Sequence, residues 1–296
     1  MEAFASTSGF PAWLVLGFGS ALLLGLYDIA KKRSLDGNAV TAVLLLCNLF
    51  TFLGVLLMWR VAFPSETLPD LGLRDHAMLA GKAGIVTASW LCTFRAIKRL
   101  PISISAPIRA SAPLFTLVGA VFLLGERPGP AQWAGIAAAL LGYWSFSLAG
   151  RKEGIDFRRN RWVLWMLLGT MIGGTSSLYD KVLLQRAGYA PFTVQFWFSV
   201  YGVALQSAIL LARRPKGFAW RWTIPLVGLF LAVADRLWFQ AMHCPDALAG
   251  VLSVVRRSSV VVTFALGTFL FRERWSARKA LSLAAVLCGL WLLSLG

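Results

Sequence analysis

Apolar residues run along this chain in blocks of about twenty, broken by short stretches that hold most of the charges. A helix needs roughly 20 mostly apolar residues to cross a bilayer. Ten blocks meet that length: Pro11 to about Arg33, Ala39–Val61, His76–Arg99, Ile102–Leu124, Gly129–Ala149, Trp162–Arg186, Pro191–Ala212, Trp222–His243, Ala247–Phe271 and Ser276–Leu295. The third is the most polar, and the fourth opens after Pro101. Most gaps are short, so consecutive helices are expected to be antiparallel neighbours. The pattern predicts an all-α integral membrane protein with ten transmembrane helices.

Composition strengthens this. The chain is 58% hydrophobic and only 14% charged, with thirteen tryptophans. Soluble chains are about 45–50% apolar and about 25% charged, so cytosolic enzymes, nucleic-acid-binding domains and disordered scaffolds are excluded. The partner at this surface is the lipid bilayer, not nucleic acid. Cys47, Cys92, Cys244 and Cys288 all lie in apolar runs, without CxxC or Cys/His spacing, so no disulfide framework, metal site or cofactor is expected.

The formal charge of +16 is unevenly spread. Loops after odd-numbered helices carry about 18 Lys and Arg: Lys31–Arg33, Lys98–Arg99, five between Arg151 and Arg161, four between Arg213 and Arg221, and four between Arg272 and Lys279. Loops after even-numbered helices carry about four. Basic loops stay cytoplasmic, so both termini are expected on the non-cytoplasmic side of the cytoplasmic (inner) membrane. The N-terminus lacks a basic region and contains Glu2, so a cleaved signal peptide is not expected.

The two halves resemble each other. Leu124-Gly125-Glu126-Arg127 after the fourth block matches Phe271-Arg272-Glu273-Arg274 after the ninth, with the glutamates 147 residues apart. The same offset pairs Arg109 with Arg256 and Leu140–Trp144 with Leu287–Trp291. Upstream, Tyr27-Asp28 matches Tyr179-Asp180, and Phe94-Arg95-Ala96 matches Phe239-Gln240-Ala241. This organisation predicts a first five-helix repeat over 1–150, a basic connector over 151–161, and a second repeat over 162–296. Five is odd, so the second copy enters the membrane the other way up, as in many secondary transporters. With Pro101, the Leu124–Arg127 motif, the glycine-rich fifth helix and their second copies, the whole chain resembles the EamA-type branch of the drug/metabolite transporter superfamily. That resemblance implies a basket of ten helices that moves small metabolites by alternating access. The superfamily includes exporters of amino acids and drugs, nucleotide-sugar transporters and sugar-phosphate exchangers.

Charges inside spans are the candidate chemistry, because a charge at midplane costs roughly 2.5–3.5 kcal/mol on insertion scales and needs a partner or a wet cavity. Arg109, Arg256 and Arg257 lie too deep to be ordinary end anchors, and guanidinium forks suit phosphate or carboxylate. The resemblance adds that sugar-phosphate exchangers carry a paired basic motif like Arg256-Arg257. The competing reading is internal ion pairing of these arginines with Asp28, Asp180 or Asp235. Neighbours on a helix are about 100° apart, so one of Arg256 and Arg257 is expected to point elsewhere. Asp28, with Lys31 and Lys32 on its own helix, and Asp180 are each a proton-coupling group or a structural ion-pair member. Tyr27 and Tyr179 either meet substrate or sit in the interfacial belt. Lys82, with Ser89 and Thr93 roughly on its face, is substrate-binding or merely near the outer interface, and Gln240 occupies the place of Arg95 in the second repeat. Trp90 and Trp238 lie deep enough to line a cavity or to pack.

The favoured function is a secondary transporter of a small anionic or zwitterionic metabolite, such as an amino acid, organic acid or phosphate ester. A hydrophobic or cationic drug-like substrate is the alternative class, and a homodimer is possible. A membrane-embedded enzyme is the rival of another kind. Only two histidines exist, and no DxxxD, HExxH or GxSxG occurs, so no catalytic residues are assigned. A non-transporting structural protein leaves the matched intramembrane charges unexplained.

Overall fold

The computed structural model describes residues 11–100, 108–109, 111–150, 160–214 and 217–263, together with 266, 281, 284–285, 288–289 and 292. The described residues are helical, with no strand among them. The helices are α1 (Ala12–Leu35), α2 (Val40–Val61), α3 (Leu73–Arg99), α4 (Ala112–Leu124), α5 (Pro130–Gly150), α6 (Arg161–Lys181), α7 (Pro191–Arg213), α8 (Thr223–His243) and α9 (Ala249–Arg257). Five of them, α1, α2, α3, α7 and α8, are long and apolar enough to span a bilayer. Most of the expected tenth span, and the Arg272–Arg274 copy of the glutamate motif, lie outside the described residues.

Local chemistry sets the ends. Pro11 and Pro191 fit helix starts, where a missing N–H costs nothing. Asp75 accepts the Gly72 N–H (3.0 Å) at the start of α3, and the Asn160 side chain accepts the Trp162 N–H (2.9 Å) at the start of α6. Gly125 ends α4 at φ 72, a left-handed conformation that favours glycine. α6 runs on through a π-helical turn, Val182–Arg186, so its helical path ends at Arg186 as the apolar pattern predicts.

The packing exchanges partners between the halves. α1 packs most extensively on α8, and α3 on α6; α2 meets α8 as α7 meets α3; α4 meets α9. Exchanging α1, α2, α3 and α4 for α6, α7, α8 and α9 maps these pairs onto one another. Close backbones make the contacts possible. Ser20 Oγ donates to Ala234 O (2.8 Å) between α1 and α8, and Ser89 Oγ to Gly169 O (2.7 Å) between α3 and α6. A Cβ on Gly228 would stand 2.4 Å from Phe50 Cβ and 2.7 Å from the Cys47 carbonyl oxygen of α2. Backbone cannot swing aside as a side chain does. Gly228→Ala is therefore expected to destabilise the fold by about 1–3 kcal/mol, read as a lower midpoint of thermal unfolding in detergent.

The largest buried cluster joins Trp13 and Leu14 of α1, Leu79 of α3, Trp238 and Phe239 of α8, and Leu252 and Val255 of α9. Beside it, where α1, α3, α6, α8 and α9 converge, the bundle leaves space.

Candidate functional site

That space is a cavity of about 150 Å3. It gathers a set of charges that the long apolar helices carry inward. Lys31, Lys82, Arg109, Arg256 and Arg257 line it, as do Asp180 and Asp235. Asp28 stands behind Lys31 and Arg109 and pairs with both, at 2.5 and 3.1 Å. Asp180 pairs with Lys82 at 2.5 Å, and Asp235 with Arg256 at 2.5 Å. Among the described residues, Lys31, Lys82, Arg109 and Arg256 thus face three carboxylates, a formal excess of one positive charge, and Arg257 lines the same space. Transferring such groups from water is costly unless they are paired and hydrogen-bonded.

The pairs are further tied. Lys82 Nζ donates to Ser176 Oγ (2.5 Å), and Trp238 Nε1–H donates to the second oxygen of Asp180 (2.9 Å). Three of the cations also meet aromatic faces. Lys31 lies 4.2 Å from the Tyr27 ring centre, Arg256 4.3 Å from that of Trp238, and Lys82 5.8 Å from that of Phe198. A cation–π contact is worth most where water is excluded. Trp238 therefore links two ion pairs, through its N–H to Asp180 and through its face to Arg256.

Most of the expected residues meet here. Arg109, Arg256, Arg257, Lys82, Tyr27, Trp90, Asp180 and Asp235 line one cavity, together with Ser89 and Thr93. The anion-site and ion-pair readings are not exclusive, since Arg109 and Arg256 both face the cavity and hold a carboxylate. Arg256 and Arg257 both line it, although a 100° offset suggests divergence. They form the last turn of α9, which Ser258 ends, and long side chains converge there. Lys82 is buried and lines the cavity.

Two residues do not join. Tyr179 turns its hydroxyl to the Met78 carbonyl (3.1 Å), one turn before Lys82 on α3, and neither Tyr179 nor Gln240 lines the cavity. Identical Tyr-Asp pairs thus have different surroundings. Ser176, Phe198 and Phe239 also line the cavity, and Lys31, expected as a local partner of Asp28, lines it too. Lys31 reads in sequence as one of three loop charges. Its burial was signalled only by Asp28 three residues before it, one turn away.

Away from the cavity, polar contacts tie the first half of the chain to the second. Arg236 pairs with Glu66 and lies 4.6 Å from the Phe63 ring centre. Tyr189 donates to Asp75; burial, then that hydrogen bond, pushes its hydroxyl up to about 12. Glu126 accepts from Lys181 (2.8 Å) and from the Ala249 N–H (2.7 Å). At the other end, Asn38 exchanges hydrogen bonds with Ala219 (3.0 and 2.7 Å).

The sequence profile of the EamA-like transporter family matches the chain twice, over residues 11–148 and 160–295. The chain belongs to the EamA-like transporter family. The transporter is 28% identical over 236 residues to the riboflavin transporter of Rhizobium johnstonii, covering 67% of this chain and 72% of that protein. It is 26% identical to the inner membrane transporter YedA of Escherichia coli K12, covering 83% and 79%. Solute carrier family 35 member E4 of Homo sapiens is 28% identical, over 69% of this chain and 59% of its own. A protein of known crystal structure shares the fold, with a TM-score of 0.76 at 18% identity over 96% of each chain. These relatives point to a multi-pass membrane transporter and not to an enzyme.

Proposed function

We propose that this protein is a secondary transporter of a small anionic or zwitterionic metabolite, such as an amino acid, organic acid or phosphate ester. It works by alternating access across the cytoplasmic membrane, with both termini outside. Two five-helix repeats of opposite orientation, over 1–150 and 162–296, rock about the cavity, and the swapped packing partners of α1–α4 and α6–α9 support that plan. One chain encloses the cavity, so a homodimer is not needed for it.

The observation that carries the substrate sign is that, among the described residues, Lys31, Lys82, Arg109 and Arg256 outnumber the carboxylates Asp28, Asp180 and Asp235 at a cavity lined by rings. Arginine forks and a lysine attract carboxylate or phosphate, and Asp180 and Asp235 offer partners for an ammonium group. Size supports a small cargo. Pockets for drug-sized ligands span about 300–1,000 Å3, whereas this cavity has about 150 Å3. The relative named for riboflavin, with the rings of Tyr27, Trp90, Phe198 and Trp238, favours a planar cargo as the second reading.

Purified protein screened for thermal shift against phosphate esters, amino acids, organic acids, riboflavin and quaternary cations is expected to be stabilised by an anion or zwitterion. The stabilising compound is then exchanged across liposomes. Arg109→Ala and Arg256→Ala should each slow exchange about tenfold or more. Stabilisation by cations alone would reverse the substrate sign. Unchanged exchange in both variants would remove the anion site.

A further inference from the structure

α2 and α7 belong to different halves and pack against each other away from the cavity. Their contact is unexpectedly polar. Asn48 and Thr51 of α2, and Gln195, Ser199 and Gln206 of α7, are at most 2% exposed. Residues 195, 199, 202 and 206 follow one helical face. Gly202 on that face leaves room for Asn48, since a Cβ there would stand 2.5 Å from Asn48 Nδ2. The hydroxyls of Thr51 and Ser199 give their protons to their own helices, at the Cys47 and Gln195 carbonyls. Gln206 Nε2 reaches Thr87 Oγ1 of α3 (3.3 Å), and Gln195 Nε2 reaches the Ala232 carbonyl of α8 (2.6 Å).

What is left over is unbalanced. Asn48 Nδ2 and Oδ1, Gln195 Oε1 and Gln206 Oε1 are buried and find no hydrogen-bond partner among the described residues. An unpaired amide in an apolar interior costs several kcal/mol. Helical side chains lean toward the N-terminus, so Gln206 leans toward Gly202 and hence toward Asn48. The unmatched set includes a donor as well as acceptors. A monovalent cation would serve the oxygens and leave Asn48 Nδ2 unpaired. No carboxylate belongs to the set to offset its charge. Water both donates and accepts, and a buried water typically makes about three hydrogen bonds.

We propose that the α2–α7 contact is a hydrated joint, in which ordered water bridges Asn48 to Gln206 and to the oxygens beside them. Water bridges are nearly as favourable as direct bonds and cost little to remake. A joint of this kind lets α2 and α7 shift against each other when the halves move, without stranding polar groups in an apolar interior.

A double-mutant cycle on the full-length protein tests this, using thermal midpoints of Asn48→Leu, Gln206→Leu and the double variant in one detergent. Asn48 and Gln206 make no direct bond, so coupling between them reports the bridging water. Each single variant strands the other amide and should lower the midpoint by about 3 °C or more, and the double should be less destabilised than their sum. Asn48→Ser, where an added water takes the place of the amide, should stay within about 2 °C of wild type. A raised midpoint in Asn48→Leu, or strict additivity, would mean a dry seam and overturn the joint. A midpoint that rises with sodium over choline in the wild type, and not in Asn48→Leu, would make this a cation site and also overturn it.

Discussion

Asp180→Ala is expected to abolish transport and to cost about 3–5 kcal/mol of stability, the range for removing one partner of a buried ion pair. Lys82 and Asp180 are each only 4% exposed at the side chain and stand 2.5 Å apart. Lys82 belongs to α3 and Asp180 to α6, so this cavity pair joins the two halves, whereas Arg109–Asp28 and Arg256–Asp235 stay within one half each. Without Asp180, the Lys82 ammonium keeps Ser176 and the Phe198 and Phe239 faces but loses its countercharge. Trp238 Nε1–H loses its acceptor, and with it the tie between the two ion pairs. The large penalty comes from the orphaned charge more than from the worth of the bond. The double variant Lys82→Met/Asp180→Leu should therefore recover much of the stability while remaining inactive. Unfolding in mixed micelles and exchange in liposomes separate the two effects. An Asp180→Ala protein as stable as wild type would contradict the pairing, and an active double variant would exclude both residues from transport.

That pair also shows where sequence reading stops. The apolar blocks predict the helices well, with ends at Val61, Arg99, Leu124, Arg186 and His243 matching the described elements, because a membrane helix must bond its own backbone and shows its length directly. Lys82, Arg109 and Arg256 stand out for a related reason, since a charge in an apolar span has few places to go. Which carboxylate each one meets is not encoded by spacing. Repeat matching of Arg109 with Arg256 and of Asp28 with Asp180 would place Arg256 on Asp180, as Arg109 sits on Asp28. Instead α3 packs on α6, so Lys82, whose counterpart in α8 is about Val227, reaches Asp180 first, and Arg256 takes Asp235. Rings behave likewise. Trp238 packs and also lines the cavity, and only the crossing of α8 with α6 gives its N–H to a carboxylate. Helix pairing across the repeats therefore fixes a charge pattern that no single helix contains.

The second large effect lies outside the cavity. Glu126→Ala is expected to lower stability by at least about 3 kcal/mol while leaving the substrate Kd of the folded protein unchanged. Glu126 follows α4 in the first half, is 6% exposed, and reaches two elements of the second half. One oxygen accepts from Lys181 Nζ (2.8 Å) and the Ala249 N–H (2.7 Å), and the other from the Gly250 N–H (3.3 Å). It thus caps the first turn of α9, where unbonded amides and the positive end of the helix dipole favour an anion. Lys181 also donates to the Ala247 carbonyl (2.8 Å), so it fastens the same turn from the other side. Alanine removes the cap and strands Lys181 in one step. Glutamine keeps the size and one carbonyl acceptor, but its amide group donates where Lys181 or a backbone N–H also donates, so Glu126→Gln should be destabilised too, by less. Lys181→Met leaves the cap in place and should be the mildest of the three. A shift in substrate Kd in Glu126→Ala would instead mean that α9, and with it Arg256 and Arg257, is held in register at the cavity by this carboxylate. Wild-type stability in both Glu126 variants would show that neither the cap nor the ion pair supports the fold.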